Sequence, residues 1–320
     1  MKKKILVITP VSHIDNFKSE INKNFRATYK ENVNEKQLFK IINKYQIIFT
    51  NPNMSKIFLS KKLIDRASKL ETICTASTGQ NHMDISYIKK KKIKVISLRN
   101  RLGIIKKITS TAEHSFALMM TSIRNIISAY EDVKKGNWKY LDHIGEQLNF
   151  LTIGIIGYGR LGKMFVKMIK PFTKKILIYD KYKKIDKKNL AYKATLANLL
   201  KNSDIISLHI HADRKNINFF DKKKFKKLKR KVLIINTSRG EIINEGDLLK
   251  FLKKNNLSKY ATDVINNEIK DRKKSPIINS LAKNNQILVT PHIGGMTYQA
   301  QKIAYYSALN LLIKEYENKQ

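Results

Sequence analysis

Cysteine is almost missing from this chain: Cys74 is the single one in 320 residues. That excludes an internal disulfide framework and any metal site built on several thiolates. Long apolar runs are missing too, since no stretch reaches the roughly eighteen uninterrupted apolar residues of a helical membrane span. The opening Met-Lys-Lys-Lys followed by Ile5-Leu-Val-Ile-Thr9 has the outline of a signal peptide. Its apolar part is too short, and Pro10, His13 and Asp15 stand where the small residues of a cleavage site belong. A first β-strand is the expected reading. Acidic residues are scarce, 25 against 64 lysines and arginines, which leaves a formal charge of +39 and a pI near 10.1. Such a balance points first to nucleic acid. Only 10 of the 64 are arginine, however, the residue whose planar fork pairs bidentately with phosphate and guanine. The lysines are spread over the whole chain, and asparagine (29 residues) and isoleucine are abundant as well. All three have A/T-rich codons, so a coding bias explains the charge. No specific nucleic-acid partner and no membrane partner is expected.

What remains is ordinary. With 42% hydrophobic and 28% charged residues, collagen, coiled coil and wholesale disorder are excluded. The expectation is a folded, soluble, cytoplasmic protein, long enough for two ordinary domains.

Short apolar runs alternate with amphipathic stretches along the first hundred residues. Strands are expected at Lys4–Thr9, Gln46–Thr50, Glu71–Ala76 and Ile93–Leu98, with helices at Glu35–Tyr45 and Ser60–Ser68. That alternation implies parallel strands joined by crossover helices. Ser110-Thr-Ala-Glu113 reads as a capping box opening a long helix through Ala117, Leu118, Ile123 and Ile127. A second series follows, with strands expected at Phe150–Ile156, Lys175–Tyr179, Ile205–His209, Val232–Asn236, Tyr260–Val264 and Gln286–Thr290, and a closing helix from about Tyr298 to Tyr316. The fold class is α/β, with two doubly wound parallel sheets. Lys-rich segments such as Lys222–Lys231 fall between strands and read as solvated helix faces.

The chemistry collects where strands of the second series end. Gly157-Tyr158-Gly159-Arg160-Leu161-Gly162 follows an apolar strand and opens a helix. In that context the first glycine permits a tight turn, and the second lets backbone amides approach a pyrophosphate. The third lets helix and strand pack closely, while the helix amino terminus favours the anion. The next strand ends in Asp180, placed to accept hydrogen bonds from ribose hydroxyls and to repel a 2′-phosphate, so NAD is expected rather than NADP. Hydride transfer to a keto acid also needs a proton donor titrating near neutrality, which suits histidine. A fixed cation must hold the substrate carboxylate, best a bidentate arginine. Arg239, Glu268 and His292 all fall just past strands. His209 and His211 superficially suggest a metal, but no third ligand is evident and none is expected.

These residues sit in motifs that resemble the NAD-dependent D-2-hydroxyacid dehydrogenases over essentially the whole chain. The motifs are STGQNHMD (77–84), STAEH (110–114), GNW (136–138), TIGIIGYGRLGK (152–163), Asp180 and SLHI (207–210). INTSRGEIIN (235–244), ATDVINNE (261–268) and TPHIGG (290–295) complete the set. The resemblance implies a Rossmann-type cofactor domain at 101–292 inserted into a flavodoxin-like substrate domain built from 1–100 and 293–320, with the active site in the cleft between them. It makes Arg239, Glu268 and His292 catalytic. His292 is then general acid in reduction, with Glu268 fixing its tautomer and raising its pKa, and Arg239 binds the substrate. Ser77, Thr78 and Gly79 hold the other side of the substrate carboxylate. Gly157, Tyr158, Gly159, Arg160, Leu161, Gly162, Asp180, His209, Thr237, Asp263 and Gly295 bind NAD.

Two departures stand out, His211 and Ile269, at positions where the family usually has proline. The helix starting near Thr111 resembles the family's dimer contact, so a homodimer is expected. Because the chain ends at Gln320, control through a carboxy-terminal regulatory domain is not expected. The substrate is a small anionic 2-hydroxy or 2-keto acid. The expectation leans towards 3-phosphoglycerate, with recognition by the turn 51–56 and residues near Arg99 and Arg101. A glyoxylate or hydroxypyruvate reductase is the alternative, and a non-catalytic NAD-sensing module is the alternative of a different class.

Overall fold

The structure is a computed structural model that describes residues 2–52, 57–183, 185, 191–213, 215–269 and 271–317. The chain divides into two compact units, Met1–Ile108 with Met296–Gln320, and Thr109–Gly295. The breaks expected at 100/101 and 292/293 lie a little short of these. Ile104, Ile105 and Ile108 pack into the core of the first unit. Ile293 and Gly294 are tied by their backbone N–H groups to Asp263 of the second.

The first unit holds strands β1 (Lys4–Val7), β2 (Arg26–Tyr29), β3 (Ile47–Thr50), β4 (Thr72–Thr75) and β5 (Lys94–Ser97), all parallel, in the order β2-β1-β3-β4-β5 among the described residues. This is the flavodoxin-like order. Period-two alternation sends Ile5, Val7, Ile47 and Phe49 to one core and Leu6, Ile8 and Ile48 to the other, as expected of strands covered on both faces. The carboxy-terminal helix Tyr298–Glu317 closes the first of these cores with Ala304, Tyr305, Ala308, Leu309 and Leu312. Its small residues let it lie close to the sheet. Cys74 on β4, with no exposed surface, has its Sγ 3.4 Å from the Ala308 carbonyl oxygen.

The second unit holds β6 (Thr152–Ile156), β7 (Lys175–Tyr179), β8 (Ala191–Lys193), β9 (Ile205–Leu208), β10 (Leu233–Asn236), β11 (Lys259–Thr262) and β12 (Ile287–Val289). They form a parallel sheet in the order β12-β11-β10-β9-β6-β7-β8, and strand order reverses between β6 and β9. The register aligns the strand ends: Tyr179, Ile156, Leu208, Asn236, Thr262 and Val289 form one lateral row. Ligands of open α/β sheets bind past the carboxyl ends of strands, at the point where the order reverses.

Three expectations need correction. Both sheets have one more strand than the apolar runs predict. β2 and β8 lie at sheet edges and are only partly buried, so neither carries a continuous apolar run. The long helix breaks after Ile123, because Asn125 adopts φ 54° and donates its side-chain amide to the Ile144 carbonyl at 2.9 Å; asparagine tolerates this left-handed geometry. The capping box does not form. The helix Ser110–Ile123 has Thr109 as its N-cap, and the Thr109 hydroxyl goes to the Glu113 carboxylate. No helix among the described residues is long and apolar enough to cross a membrane.

Candidate active site

Six residues stand directly after the lateral row: Asp180, Gly157, His209, Thr237, Asp263 and Thr290. The first three line the glycine loop. Gly157 has φ +98°, and a Cβ there would come within 2.5 Å of the His209 carbonyl oxygen. A Cβ on Gly162 would lie 2.1 Å from the Gly157 carbonyl oxygen. Gly159, the N-cap of the helix Arg160–Ile169, faces open space, and no side chain caps that helix end. Tyr158, Arg160 and Leu161 complete the turn, partly buried. The Asp180 carboxylate accepts from the backbone N–H groups of Tyr158 (2.7 Å), Tyr182 (2.8 Å) and Lys183 (2.9 Å). Partial burial pushes its pKa up, but these bonds and the Lys183 charge outweigh that and hold it below the usual carboxylate range. His209 packs against Phe165, ring centroids 5.2 Å apart and tilted by 45°, and its Nε2 lies 2.9 Å from the Ser207 hydroxyl. Its Nδ1 is buried without a hydrogen-bond partner among the described residues, and burial pushes the imidazole pKa down to about 4. A bare helix amino terminus, an open glycine and an orphaned buried nitrogen fit a dinucleotide.

The other three strand ends carry the groups expected to act on substrate. Asn236 closes β10 and braces the next turn, donating from Nδ2 to the Arg239 carbonyl (2.9 Å) and accepting the Ser238 N–H (3.0 Å). The Arg239 Nη1 donates to the Ser238 carbonyl at 2.6 Å, leaving most of the guanidinium donors for a ligand. A Cβ on Gly240 would lie 2.0 Å from the Ile265 carbonyl carbon, so the turn after β10 presses its backbone on the turn after β11. Thr237 is buried, its hydroxyl 2.7 Å from that of Ser115.

Beyond β11, Glu268 lies 2.8 Å from His292 Nδ1, through Oε1. Beyond β12, His292 adopts φ 58°, left-handed backbone that a non-glycine residue holds only when its surroundings impose it. Asp263 imposes it. Its carboxylate is buried and accepts from the Thr290 hydroxyl (2.6 Å) and the N–H groups of Ile293 (2.8 Å) and Gly294 (2.7 Å), which bracket His292. Because the Thr290 proton goes to Asp263, His114 Nε2, 2.8 Å from Thr290 Oγ1, must be the donor of that bond. Burial pushes the Asp263 pKa up, yet His114, Thr290 and the two N–H groups outweigh it and hold the carboxyl below its ordinary value. Gly295, the last residue of this unit, faces open space where a Cβ would stand.

Ser77, Thr78 and Gly79 lie in the first unit, just past β4, where the Ser77 hydroxyl donates to the Gly79 carbonyl at 2.7 Å. Arg99, past β5, donates from Nη1 to Gln80 Oε1 at 3.3 Å. In the turn 51–56, residues 53–56, including Lys56, fall outside the described residues.

The family model of the D-isomer specific 2-hydroxyacid dehydrogenase, NAD binding domain, matches residues 116–294, nearly all of the second unit. The chain belongs to this family. Within the D-isomer specific 2-hydroxyacid dehydrogenases, a D-3-phosphoglycerate dehydrogenase of Archaeoglobus fulgidus is 30% identical over 302 residues, 93% of this chain and 54% of that protein. A glyoxylate reductase of Thermococcus litoralis is 31% identical over 265 residues, 79% of this chain and 76% of the relative. A solved D-lactate dehydrogenase from Aquifex aeolicus, complexed with NAD and lactic acid, superposes with a TM-score of 0.84 at 25% identity, covering 98% of this chain and 96% of that one. The chain spans about half the length of the phosphoglycerate dehydrogenase it matches. Its glycine loop therefore belongs to an NAD binding domain.

The motif reading gave no role to Asn236, Gly240, His114 or Thr290, though all four lie inside its motifs, and Glu245 lies outside them. The bond between His114 and Thr290 joins positions far apart in sequence, which spacing cannot reveal.

Proposed function

We propose that the chain transfers a hydride reversibly between NAD(H) and a D-2-hydroxy acid or 2-keto acid. The observation that carries this reading is His292 Nδ1, 2.8 Å from the Glu268 carboxylate, on loops leaving adjacent strands beside the Arg239 turn. NAD, when bound, supplies the hydride acceptor or donor. The glycine loop Gly157–Gly162, Asp180 and His209 would hold its adenosine diphosphate part, and Thr237, Asp263 and Gly295 its nicotinamide side. The Glu268 carboxylate accepts the Nδ1–H, which leaves Nε2 of His292 as the atom that gives a proton to the carbonyl oxygen in reduction and takes it back in oxidation. Arg239 binds the substrate carboxylate through its free donors, and in the first unit Ser77, Thr78 and Gly79 are the proposed substrate contacts.

The substrate reading is 3-phosphoglycerate or a close analogue. The exposed Arg99 guanidinium, anchored on Gln80 next to Gly79, supplies a cation for a second anionic group. A relative named glyoxylate reductase favours the smaller alternative. The proposed partner is a second copy of the chain, in the cytoplasm. The second unit exposes Ile126, Ile127, Tyr130, Val133 and Trp138 within thirteen residues of sequence (126–138), a stretch suited to burial in an interface.

The test follows NADH absorbance with phosphohydroxypyruvate, hydroxypyruvate, glyoxylate, pyruvate and 2-ketoglutarate. One substrate should turn over, and His292→Ala should lower kcat by about 10²–10⁴-fold while NADH still binds. Tight NADH binding with no turnover on any of the five would replace the enzyme reading with an NAD-sensing module.

A further inference from the structure

Glu245 opens the helix Glu245–Lys254 after β10, and only 3% of it is exposed. A carboxylate is rarely buried so deeply unless its oxygens are engaged. Here Oε1 accepts the backbone N–H of Asn266 at 2.7 Å, and Oε2 accepts the hydroxyl of the fully buried Ser275 at 2.8 Å. Burial pushes its pKa up, opposed by the bonds from Asn266, Ser275 and the Ile277 N–H. One side chain thus joins the helix after β10, the turn after β11 and the start of the short helix Pro276–Ser280 before β12.

The position of Asn266 gives this bond its reach. Asn266 follows Ile265, whose backbone is pressed against Gly240, the residue after Arg239. It precedes Asn267, which holds φ 58°, and then Glu268. Its side chain adds a bond to the Ile243 carbonyl at 3.4 Å. The Arg239 turn and the Glu268 turn therefore meet at one backbone contact, and Glu245 tethers that contact. Without the tether, the backbone at Asn266 and Asn267 would be free to shift, and Glu268 would leave the imidazole it faces.

We infer that Glu245 is a positioning residue, which sets the place of Glu268 against His292 and of the Arg239 turn through the Asn266 amide, an assignment that rests on the catalytic reading above. It touches neither substrate nor cofactor in this role, and its effect is geometric. Glutamine should then largely replace it, because its amide oxygen can accept from Asn266 and its NH2 can donate to the Ser275 hydroxyl, at the loss of the acceptor for the Ser275 hydroxyl proton and the Ile277 N–H.

The experiment compares Glu245→Gln, Glu245→Ala and Ser275→Ala with the parent, measuring kcat and KM for NADH and hydrogen exchange of the 263–269 backbone. Glu245→Ala should lower kcat by roughly 10²-fold, the scale expected of a catalytic group displaced by about 1 Å, with KM for NADH changed less than about threefold. Glu245→Gln should stay within about threefold of the parent and Ser275→Ala should fall between them. Exchange at Asn266 should quicken in the alanine variant while the glycine loop stays protected. Unchanged kcat in Glu245→Ala, equal losses in the alanine and glutamine variants, or unaltered Asn266 exchange would each overturn the assignment. Should Glu245→Ala not fold, Ser275→Ala and Glu245→Gln decide alone, and equal activity with unchanged exchange in both refutes it. Absence of turnover in the parent would instead sink the catalytic reading, and exchange would still show whether Glu245 tethers the turn.

Discussion

Beyond β6, the glycine loop owes its shape to side chains that are missing, whereas beyond β10, β11 and β12 the loops owe theirs to polar side chains that are buried. In the first group, Gly157 and Gly162 allow backbone to approach backbone at distances no Cβ would tolerate. In the second, Asn236, Asp263 and Glu245 spend their hydrogen-bonding capacity on neighbouring turns. The two groups leave one row of one sheet, yet they suit different tasks. A pyrophosphate needs room and amide dipoles, which bare backbone provides. Proton transfer needs side chains fixed closely enough to meet one reacting atom, which takes a rigid supporting framework.

The sharpest way to break this contrast is to fill the space. In Gly162→Ala the added methyl meets the Gly157 carbonyl oxygen at 2.1 Å. Overpacking of that kind costs about 3 kcal/mol, while alanine returns about 1 kcal/mol of helix propensity. A net loss of about 2 kcal/mol in chemical denaturation is expected, together with loss of NADH fluorescence enhancement. Parent-like stability and binding would show that the loop's shape has another origin.

On the polar side, Asp263→Asn removes one acceptor and installs a donor facing backbone N–H groups that already need a partner. An orphaned buried donor costs about 1–3 kcal/mol, and the looser His292 should lower kcat roughly tenfold or more, with a smaller loss of NADH affinity from the nicotinamide side. If NADH affinity collapsed while kcat held, Asp263 would serve the cofactor alone and not the His292 loop.

The effect that is smallest at neutral pH, and grows only in acid, concerns His209. Its folded pKa, about 4, lies below the ordinary value of 6.5. The unfolded chain therefore binds the proton first, so stability is whole above about pH 6.5 and declines as pH falls towards 4. With allowance for partial solvation, about 2–3 kcal/mol should vanish across that window. His209→Gln should flatten this part of the pH–stability curve relative to the parent. Identical slopes would mean that the imidazole is not held neutral.

The same contrast governs what could be read before any coordinates. The glycine loop was legible because its constraint acts between residues five apart, Gly157 and Gly162, next to an apolar strand. Arg239, Glu268 and His292 were legible through their motifs, and the register then placed them past adjacent strands. The framework under them was not, since Asp263 reaches Thr290 and Glu245 reaches Asn266 across whole crossover units. An acid at position 245 looks like an ordinary helix start. Edge strands β2 and β8 were missed for a related reason. Having a neighbour on one side only, they need no continuous apolar run, and apolar runs were the signal used.

Cys74 offers a practical consequence. Burial pushes its thiol pKa up, and a buried neutral thiol reacts slowly with disulfide reagents. It is also the chain's single thiol, and it sits in the unit that carries none of Arg239, Glu268 or His292. The rate at which a thiol reagent labels it therefore clocks the transient opening of that unit alone, with no engineered probe and no competing signal from the NAD binding domain.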